Sequence, residues 1–445
     1  MSLAELRAAI DEYLGRGADF VKYGAAFVMA ASVPASGCGS DIGGAAGGGA
    51  VIRTDSAGVQ IAKIPAALLD HLPEWSLAAV PEMTIGRVEG EAAYLLGEIL
   101  GATRLETGET VVLDAQAKEL RVFDAAGTYL RTFGREGDGP GEFRYPSLVR
   151  ALDGPRFAAY DRRHFAVTIW DVRSGLVSTE RTSLSGCPVR GSQSAIIACT
   201  VHGILADGRF AVRYHPPRPA GARMALPPPG EAVNRDGLAV HVGVSDGGRI
   251  QIVDSIIGPP LTTILADRLV WQVPTLFRAY GQMLVGRDRI AVADNATFEI
   301  RSWDSSGAPR EIARVSRAAM PVTPDRIEEI RSWAETARPT SIGTLLPVAE
   351  HLDGGELGDS VPHFGDALLD EAGRLWLADY GPSEEMRPVQ RWHWTVIDRT
   401  GVPLARISTG RPHDLLEIGE DYVLVREIDE MHVGRVAMYR FEARS

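Results

Sequence analysis

Short apolar segments, each bounded by Gly, Asp or Pro, follow one another along most of the chain after residue 50. Runs such as Val111–Leu113 and Phe157–Tyr160 are rich in the residue types that favour strands. One segment, Pro324–Ala337, is instead spaced like a helix, with Thr323 as its N-cap and Pro324 at the first helical position. The pattern predicts an all-β fold with one helical insertion at about residues 317–360.

An internal repeat indicates which all-β fold this is. Four strands end on an aspartate, and a second strand follows each one and ends in an Asp turn that contains Gly. The first aspartates are Asp114, Asp161, Asp294 and Asp379, and the second are Asp124, Asp171, Asp304 and Asp398. In the first three pairs the two aspartates are 10 residues apart, and Asp124 and Asp171 are 47 apart. A period near 47 residues is typical of a four-stranded propeller blade.

The repeat therefore predicts a six-bladed β-propeller over residues 51–445. Such a ring usually closes by pairing an N-terminal strand with the last blade, which removes exposed sheet edges. Two segments are candidates for that strand, Val51–Ile64 and Ala92–Leu100. Gly127, Gly175, Gly307 and Gly401 should occupy equivalent hairpin turns, where a positive φ favours Gly, and substitutions there should cost similar amounts.

The junction after the first of these repeats carries a specific motif. Residues 133–146 read FGREGDGPGEFRYP and follow Arg121–Asp124, RVFD. This run resembles the blade junction of NHL-repeat propellers and, more closely, a group of bacterial exported six-bladed propellers of the TolB-like and NHL-like superfamily. The resemblance covers roughly residues 70–441 and implies the fold. It implies little about function, since that group is largely uncharacterised, although some propellers of the wider superfamily are lyases or lactonases with a metal in the channel.

The N-terminal segment has the order of a secretory signal. Lys22 is followed by an apolar run from Tyr23 to Val33 and then by small residues that end at Cys38. The run is much shorter than the ~20 residues that span a bilayer as a helix. Residues 35–38 resemble the lipobox of bacterial lipoproteins, in which the cysteine is acylated. We therefore predict an extension and signal at 1–38, a Gly-rich tether at 39–50 and the propeller at 51–445.

The segment before the predicted signal and the two remaining cysteines leave alternatives open. Residues 1–20 look like an amphipathic helix, which does not precede a signal peptide, so translation starts at Val21 or the chain is a cytoplasmic protein with an N-terminal helix and a linker. Cys187 and Cys199 are 12 residues apart and would pair in an oxidising compartment. The alternative is two buried free thiols.

Composition excludes some classes of function. With 46 basic and 58 acidic residues the net charge is −12, the wrong sign for a protein that binds nucleic acid by neutralising phosphates. The sequence contains no H-E-x-x-H, G-x-S-x-G, P-loop or paired C-x-x-C motif. We therefore assign no catalytic residue and no metal ligand from the sequence.

The candidate binding residues lie at one predicted rim of the ring. The first aspartates of the repeat, Asp114, Asp161, Asp294 and Asp379, either attract a hard cation such as Ca²⁺ or cap turns, and we favour capping. Tyr380 and Trp392 belong to an aromatic group that either recognises a ligand or packs between blades, and we favour packing. The other members of that group are Trp376, His393 and Trp394.

The sequence thus favours an exported, lipid-anchored binding or scaffold propeller in the periplasm or at the outer membrane. It would act as a monomer on a protein, peptide or carbohydrate ligand and touch the membrane through its lipid alone. We expect no cofactor, while Ca²⁺ or Zn²⁺ remains open. The alternative function is an exported hydrolase or lyase that holds a metal in the propeller channel.

Overall fold

The computed structural model describes residues 49–181, 199–215, 232–246, 249–266, 269–336, 352, 356–380, 392–409, 415–428 and 433–443. The N-terminal strands are β1 (Ile52–Ser56), β2 (Val59–Pro65), β3 (Glu74–Leu77) and β4 (Met83–Ile85). The next eight are β5 (Ile99–Arg104), β6 (Thr110–Asp114), β7 (Glu119–Phe123), β8 (Tyr129–Phe133), β9 (Pro146–Ala151), β10 (Arg156–Asp161), β11 (Ala166–Asp171) and β12 (Gly175–Arg181).

The middle of the chain continues in the same manner. Its strands are β13 (Cys199–Ile204), β14 (Phe210–Tyr214), β15 (Ala232–Arg235), β16 (Ala239–Asp246), β17 (Arg249–Ile257), β18 (Leu261–Ala266), β19 (Leu269–Pro274), β20 (Gly281–Val285), β21 (Arg289–Asp294), β22 (Glu299–Asp304), β23 (Pro309–Ser316) and β24 (Met320–Pro321). Helix α1 (Pro324–Thr336) follows. The last strands are β25 (Ser360–Val361), β26 (Ala367–Leu369), β27 (Leu375–Ala378), β28 (Trp392–Ile397), β29 (Pro403–Thr409), β30 (Leu415–Ile418), β31 (Tyr422–Ile428) and β32 (Gly434–Ala443).

Within the described ranges, six sets of four antiparallel strands follow one another, and we name them units 1 to 6. They are β5–β8, β9–β12, the set β13, β14, β16 and β17, then β20–β23, β26–β29, and β30–β32 with β4. The first strands of neighbouring units contact one another, as β5 does with β9 and with β30. The first strands therefore surround the central axis, and the fourth strands lie outermost.

A hydrophobic cluster joins every unit to the next. Phe157 and Trp170 of unit 2 pack with Val111 of unit 1, and five such clusters lead from unit 1 to unit 6. A sixth cluster places Met438 of unit 6 against Phe123 of unit 1. Because the last unit packs on the first, the sheets form a closed ring. The prediction of an all-β propeller is confirmed.

The strand that closes the ring is not one of the two expected segments. β4 pairs antiparallel with β32, placing Ile85 opposite Val436. The segment at 52–65 instead forms a hairpin whose strand β2 runs parallel to β23 of unit 4. Residues Ala92–Tyr94 form a 3₁₀ turn ahead of β5. β4 closes the ring because Met83 and Ile85 fill the cluster between units 6 and 1, but three residues give too weak a pattern to detect.

The helical insertion is present in the connection between units 4 and 5. Helix α1 begins at the expected Pro324, and the expected last residue, Ala337, lies outside the described residues. The Thr323 hydroxyl accepts a hydrogen bond from the backbone N–H of Arg326 at 3.3 Å, which is the predicted N-cap. No helix among the described residues is both long enough and apolar enough to cross a membrane.

The four repeat glycines occupy equivalent turns, but their surroundings differ. Gly127, Gly307 and Gly401 each have φ of +82°, and Gly175 has +95°. A Cβ at Gly175 would meet nothing within 4 Å, whereas one at Gly401 would lie 2.5 Å from the Cβ of Ala62. We therefore expect unequal substitution costs rather than the similar ones that the repeat predicts, because strand β2 packs against the Gly401 turn while the Gly175 turn faces open space.

The connections of the six units divide between two faces of the ring. Those from the first to the second strand and from the third to the fourth leave from one side, which we call the turn face. Between the described strands, every turn-face connection is five residues or shorter. The other side, the insertion face, carries the second-to-third and unit-to-unit connections. These include residues 215–238, 258–280 and the 50 residues of 317–366.

Candidate functional site

Three insertions on the insertion face are bonded into one structured layer, which we call the insertion layer. The side-chain amide of Asn234 on β15 donates to the carbonyl oxygen of Glu356 at 2.6 Å. The Asn234 carbonyl oxygen accepts from the Thr262 hydroxyl at 2.9 Å. The backbone N–H of Gly358 donates to the carbonyl of Leu276 at 3.1 Å. Residues from the 215–238, 258–280 and 317–366 connections therefore hold one another in place.

Tyr380 supports this layer from unit 5. Its hydroxyl accepts a hydrogen bond of 2.7 Å from the backbone N–H of Phe277, and the two rings are 5.9 Å apart. Phe277 is buried and has a φ of +58°, which is rare for a bulky residue and costs free energy. Bonding and packing by Tyr380 offset part of that cost. The side chain of Trp392 lies outside the described residues.

Asp114 and Asp161 serve as turn caps. The buried carboxylate of Asp161 accepts from the backbone N–H groups of Arg144, Tyr145, Arg163 and His164 at 2.6 to 2.8 Å. The carboxylate of Asp114 accepts three backbone hydrogen bonds in the same way and lies 3.5 Å from an Arg121 nitrogen. Lone pairs occupied in this manner are not presented to a cation.

The other two candidate aspartates differ from this arrangement. In unit 4 the residue after Asp294, Asn295, bonds to the segment that leads into the first strand: its amide oxygen accepts a hydrogen bond from the N–H of Tyr280 at 2.7 Å. Asp294 accepts from the N–H of Ala296 at 2.8 Å. Asp379 of unit 5 is exposed and pairs with Arg406 at 2.5 Å. The structure places the four residues at the same kind of turn, but it gives them different roles.

Two of the candidate tryptophans lie in the core. Trp376 and Trp394 are fully buried between units 5 and 6, with their ring centroids 6.1 Å apart. Trp376 Nε1 donates to the Asp370 carboxylate at 2.9 Å, and Trp394 Nε1 donates to the Thr409 hydroxyl at 2.7 Å. His393, between Trp392 and Trp394, is exposed. Trp376 and Trp394 thus pack between units 5 and 6, whereas His393 lies at the surface.

An exposed polar group lies on the insertion face at units 1 and 2. The Arg162 guanidinium stacks on the ring of Tyr145 at 3.9 Å, and Tyr145 is 49% exposed. Nearby, Asp138 accepts from Arg144 at 2.6 Å and contacts His164 at 3.0 Å. The Arg144 and His164 hydrogen bonds lower the pKa of Asp138. Exposed Tyr and Arg side chains of this kind are enriched where proteins bind partners.

Sequence reasoning missed an acid pair at the axis, formed by Glu371 and Glu417. Glu417 on β30 is buried and bonded to the Thr103 hydroxyl, the Arg104 backbone N–H at 2.9 Å and the Tyr422 hydroxyl at 2.7 Å. Arg150 on β9 pairs with Glu371 at 2.7 Å. Side chains from units 1, 2, 5 and 6 therefore meet at the turn-face end of the axis.

Burial dominates the titration of this acid pair. Loss of hydration raises the pKa of Glu371 to about 7, since the Arg150 charge, which lowers it, does not compensate for the burial and for the nearby Glu417. Burial also raises the pKa of Glu417 and of Tyr422. An acidic residue inside the apolar segment Leu415–Ile418 was the sequence signal for the pair.

Two further expectations concern cysteines and metals. Cys199 is buried at the start of β13 and takes part in a disulfide bond. Cys187 and Cys38 lie outside the described residues, so the predicted pairing and the lipidation stay predictions. Among the residues that the structure describes, no three His, Cys, Asp or Glu side chains gather into a group that could hold a metal ion.

Comparison with known proteins gives distant structural likenesses. No protein-family model and no curated protein sequence matches the chain. The chain is similar to a DUF4221 family member from Bacteroides vulgatus, at 7% identity over 84% of this chain and 100% of that one, with a TM-score of 0.44. A Bacteroides fragilis protein named only as a candidate exported protein has 11% identity over 86% and 100%, with a TM-score of 0.39.

An enzyme is also among these structures. Virginiamycin B lyase from Staphylococcus aureus is 8% identical over 82% of this chain and 99% of that one, with a TM-score of 0.34. Likenesses with TM-scores below 0.5 assign neither an activity nor a location to this protein. The architecture rests on the strand pairing described above.

Proposed function

We propose that this protein is a non-enzymatic binding propeller that recognises a protein, peptide or carbohydrate partner with its insertion face. One observation carries the proposal: the long connections between the strands of the ring all lie on that face, while the turn face keeps connections of five residues or fewer between the described strands. Loops held by a rigid scaffold are the usual location of binding residues. The bonds of the insertion layer provide that rigidity.

The proposal includes export and a lipid anchor. The order of residues 21–38 supports a secretory signal, and acylation of Cys38 would leave the Gly-rich tether at 39–50 between the membrane and β1. The TolB-like and NHL-like resemblance of the 133–146 run supports the same class of exported propeller. Palmitate labelling that is lost in Cys38→Ser tests the anchor separately from the binding face.

Site-specific photo-crosslinking tests the binding face. A photoreactive phenylalanine in place of Tyr145 on the insertion face should crosslink in cells to a discrete partner or glycan. The matched control carries the same probe in place of Ser305, in a turn-face connection of unit 4. We expect adducts at position 145 and none at 305, because the turn face offers short turns rather than recognition loops.

The opposite pattern would contradict the proposal. Equal adducts at both positions would indicate unspecific contact, and adducts confined to position 305 would place recognition on the turn face. Repeating the experiment with the probe at Asp379, on the insertion face of unit 5, distinguishes a partner that covers the whole face from one that is confined to units 1 and 2.

A further inference from the structure

A cavity of about 420 Å³ lies between units 4 and 5, on the side of the turn face and away from the insertion layer. Its walls come from β21–β23 of unit 4, from β27 and the 398–401 turn of unit 5, and from the β1–β2 hairpin. This volume is within the range of small-molecule sites, which are mostly apolar with a few polar groups. The cavity has no part in the proposed partner binding.

Aliphatic side chains form much of the interior of the cavity. Ala291, Ile300, Leu375 and Ile397 line it and are buried. Small residues leave the space open, because Ala291 and Ala313 stand on the unit 4 side where larger side chains would fill it. Such a surface favours an alkyl or aryl body.

Arginines outnumber carboxylates in the lining, which contains the two acidic residues Glu311 and Asp398. Arg53, Arg289 and Arg399 all line the cavity. Arg289 is 6% exposed and pairs with Glu311, and Arg399 pairs with Asp288 at 2.9 Å. The exposed Arg53 bonds at 3.0 and 3.1 Å to the carbonyl and hydroxyl oxygens of Thr400, which are both neutral.

The Asp398 carboxylate also lines the cavity, but it is bonded within its own turn rather than to Arg53. The Asp398 carboxylate accepts from the backbone N–H groups of Thr400 and Val402 at 2.8 Å and from the Thr400 hydroxyl at 2.9 Å. Its lone pairs are therefore directed into its own turn. An incoming anion would meet the Arg53 guanidinium beside an aliphatic cavity.

We propose that this cavity binds an amphipathic carboxylate, with its alkyl chain among the aliphatic residues and its carboxylate at Arg53. The β1–β2 hairpin contributes both Arg53 and part of the wall, through Ile61 and Ala62. The site exists because that hairpin extends unit 4 along β23 rather than closing the ring. A carboxylate and a guanidinium form a strong charge-assisted pair, which selects the head group.

Calorimetric titration with decanoate, decanol, decylamine and hexanoate tests the proposal. The protein is the full chain carrying Cys38→Ser, which needs no detergent. Decanoate should bind one to one. Decylamine should bind at least 10-fold more weakly, since its charge is opposed. Hexanoate should bind at least 10-fold more weakly too, because each buried methylene contributes roughly fourfold to affinity.

Two variants test the head group and the alkyl chain of the ligand separately. Arg53→Gln should weaken decanoate binding about 10-fold and leave decanol unchanged, and Arg131→Gln on the exposed outer strand of unit 1 should change neither. Ala313→Phe, or Ala313→Leu if the larger residue prevents folding, should weaken both ligands by filling the cavity. Absence of decanoate binding, equal binding of decylamine, or an unchanged affinity in both Ala313 variants would overturn the proposal. None of these outcomes bears on crosslinking at the insertion face.

Discussion

Asp161→Ala should lower the free energy of unfolding by about 3 to 5 kcal/mol, measured by urea denaturation. The carboxylate accepts four backbone N–H groups and is buried. A donor that loses its partner inside the protein costs about 1 to 3 kcal/mol. Because these four bonds are only partly buried, water will satisfy some of the donors in the variant. Two connections would loosen together, since Arg144 and Tyr145 precede β9 and Arg163 and His164 precede β11.

Asp379→Ala is the matched control, because its carboxyl is exposed and bonds to Arg406 at the surface. It should cost less than about 1 kcal/mol. Added Ca²⁺ should leave the midpoint of thermal unfolding of the native protein unchanged. The capping role would be wrong if both substitutions cost the same, or if Ca²⁺ stabilised the native protein and not Asp161→Ala.

Glu371→Gln should make the protein more stable by about 1 to 3 kcal/mol at pH 8 and should have little effect at pH 5. Burial raises the pKa of Glu371 from 4.5 to about 7. Between these values the folded state binds more protons than the unfolded state, so the stability contributed by Glu371 falls as the pH rises from 4.5 to 7. Gln resembles the protonated acid and does not pay for ionisation.

Urea denaturation at pH 5, 6, 7 and 8 measures this difference, and Glu106→Gln serves as control. Glu106 pairs with Arg287 at 2.7 Å but is 52% exposed in its side chain, so its replacement should give no stabilisation at pH 8. A Glu371→Gln curve that runs parallel to the native one across this range would show that Glu371 titrates normally. Destabilisation at pH 8 would show that its ion pair with Arg150 outweighs burial.

The repeat made the fold predictable from sequence. Asp124, Asp171 and Asp304 with their glycines specify tight turns through local chemistry, so equal spacing translated directly into equivalent strands. Closure by β4 was not predictable, since a strand of three residues is defined by the partner that it meets rather than by its own pattern.

The candidate site was only partly predictable for the same reason. Asp161 acts within residues close in sequence, which makes its capping role readable. Thr103 and Glu417 are 314 residues apart and meet because the ring closes, and the cavity at Arg53 depends on a hairpin that pairs with unit 4. In unit 4 the bond to the first strand comes from Asn295, one position after the repeat aspartate Asp294. A search for repeated aspartates overlooks this shift.

Metal analysis of the purified protein tests most directly whether it is a binding propeller or a metal-dependent hydrolase or lyase. Elemental analysis by mass spectrometry, before and after treatment with a chelator, gives the metal content per chain. Thermal unfolding of both samples shows how much any bound metal stabilises the fold. We expect no stoichiometric metal and identical unfolding midpoints. One Zn²⁺ or Ca²⁺ per chain, removed with a clear fall in the midpoint, would contradict it.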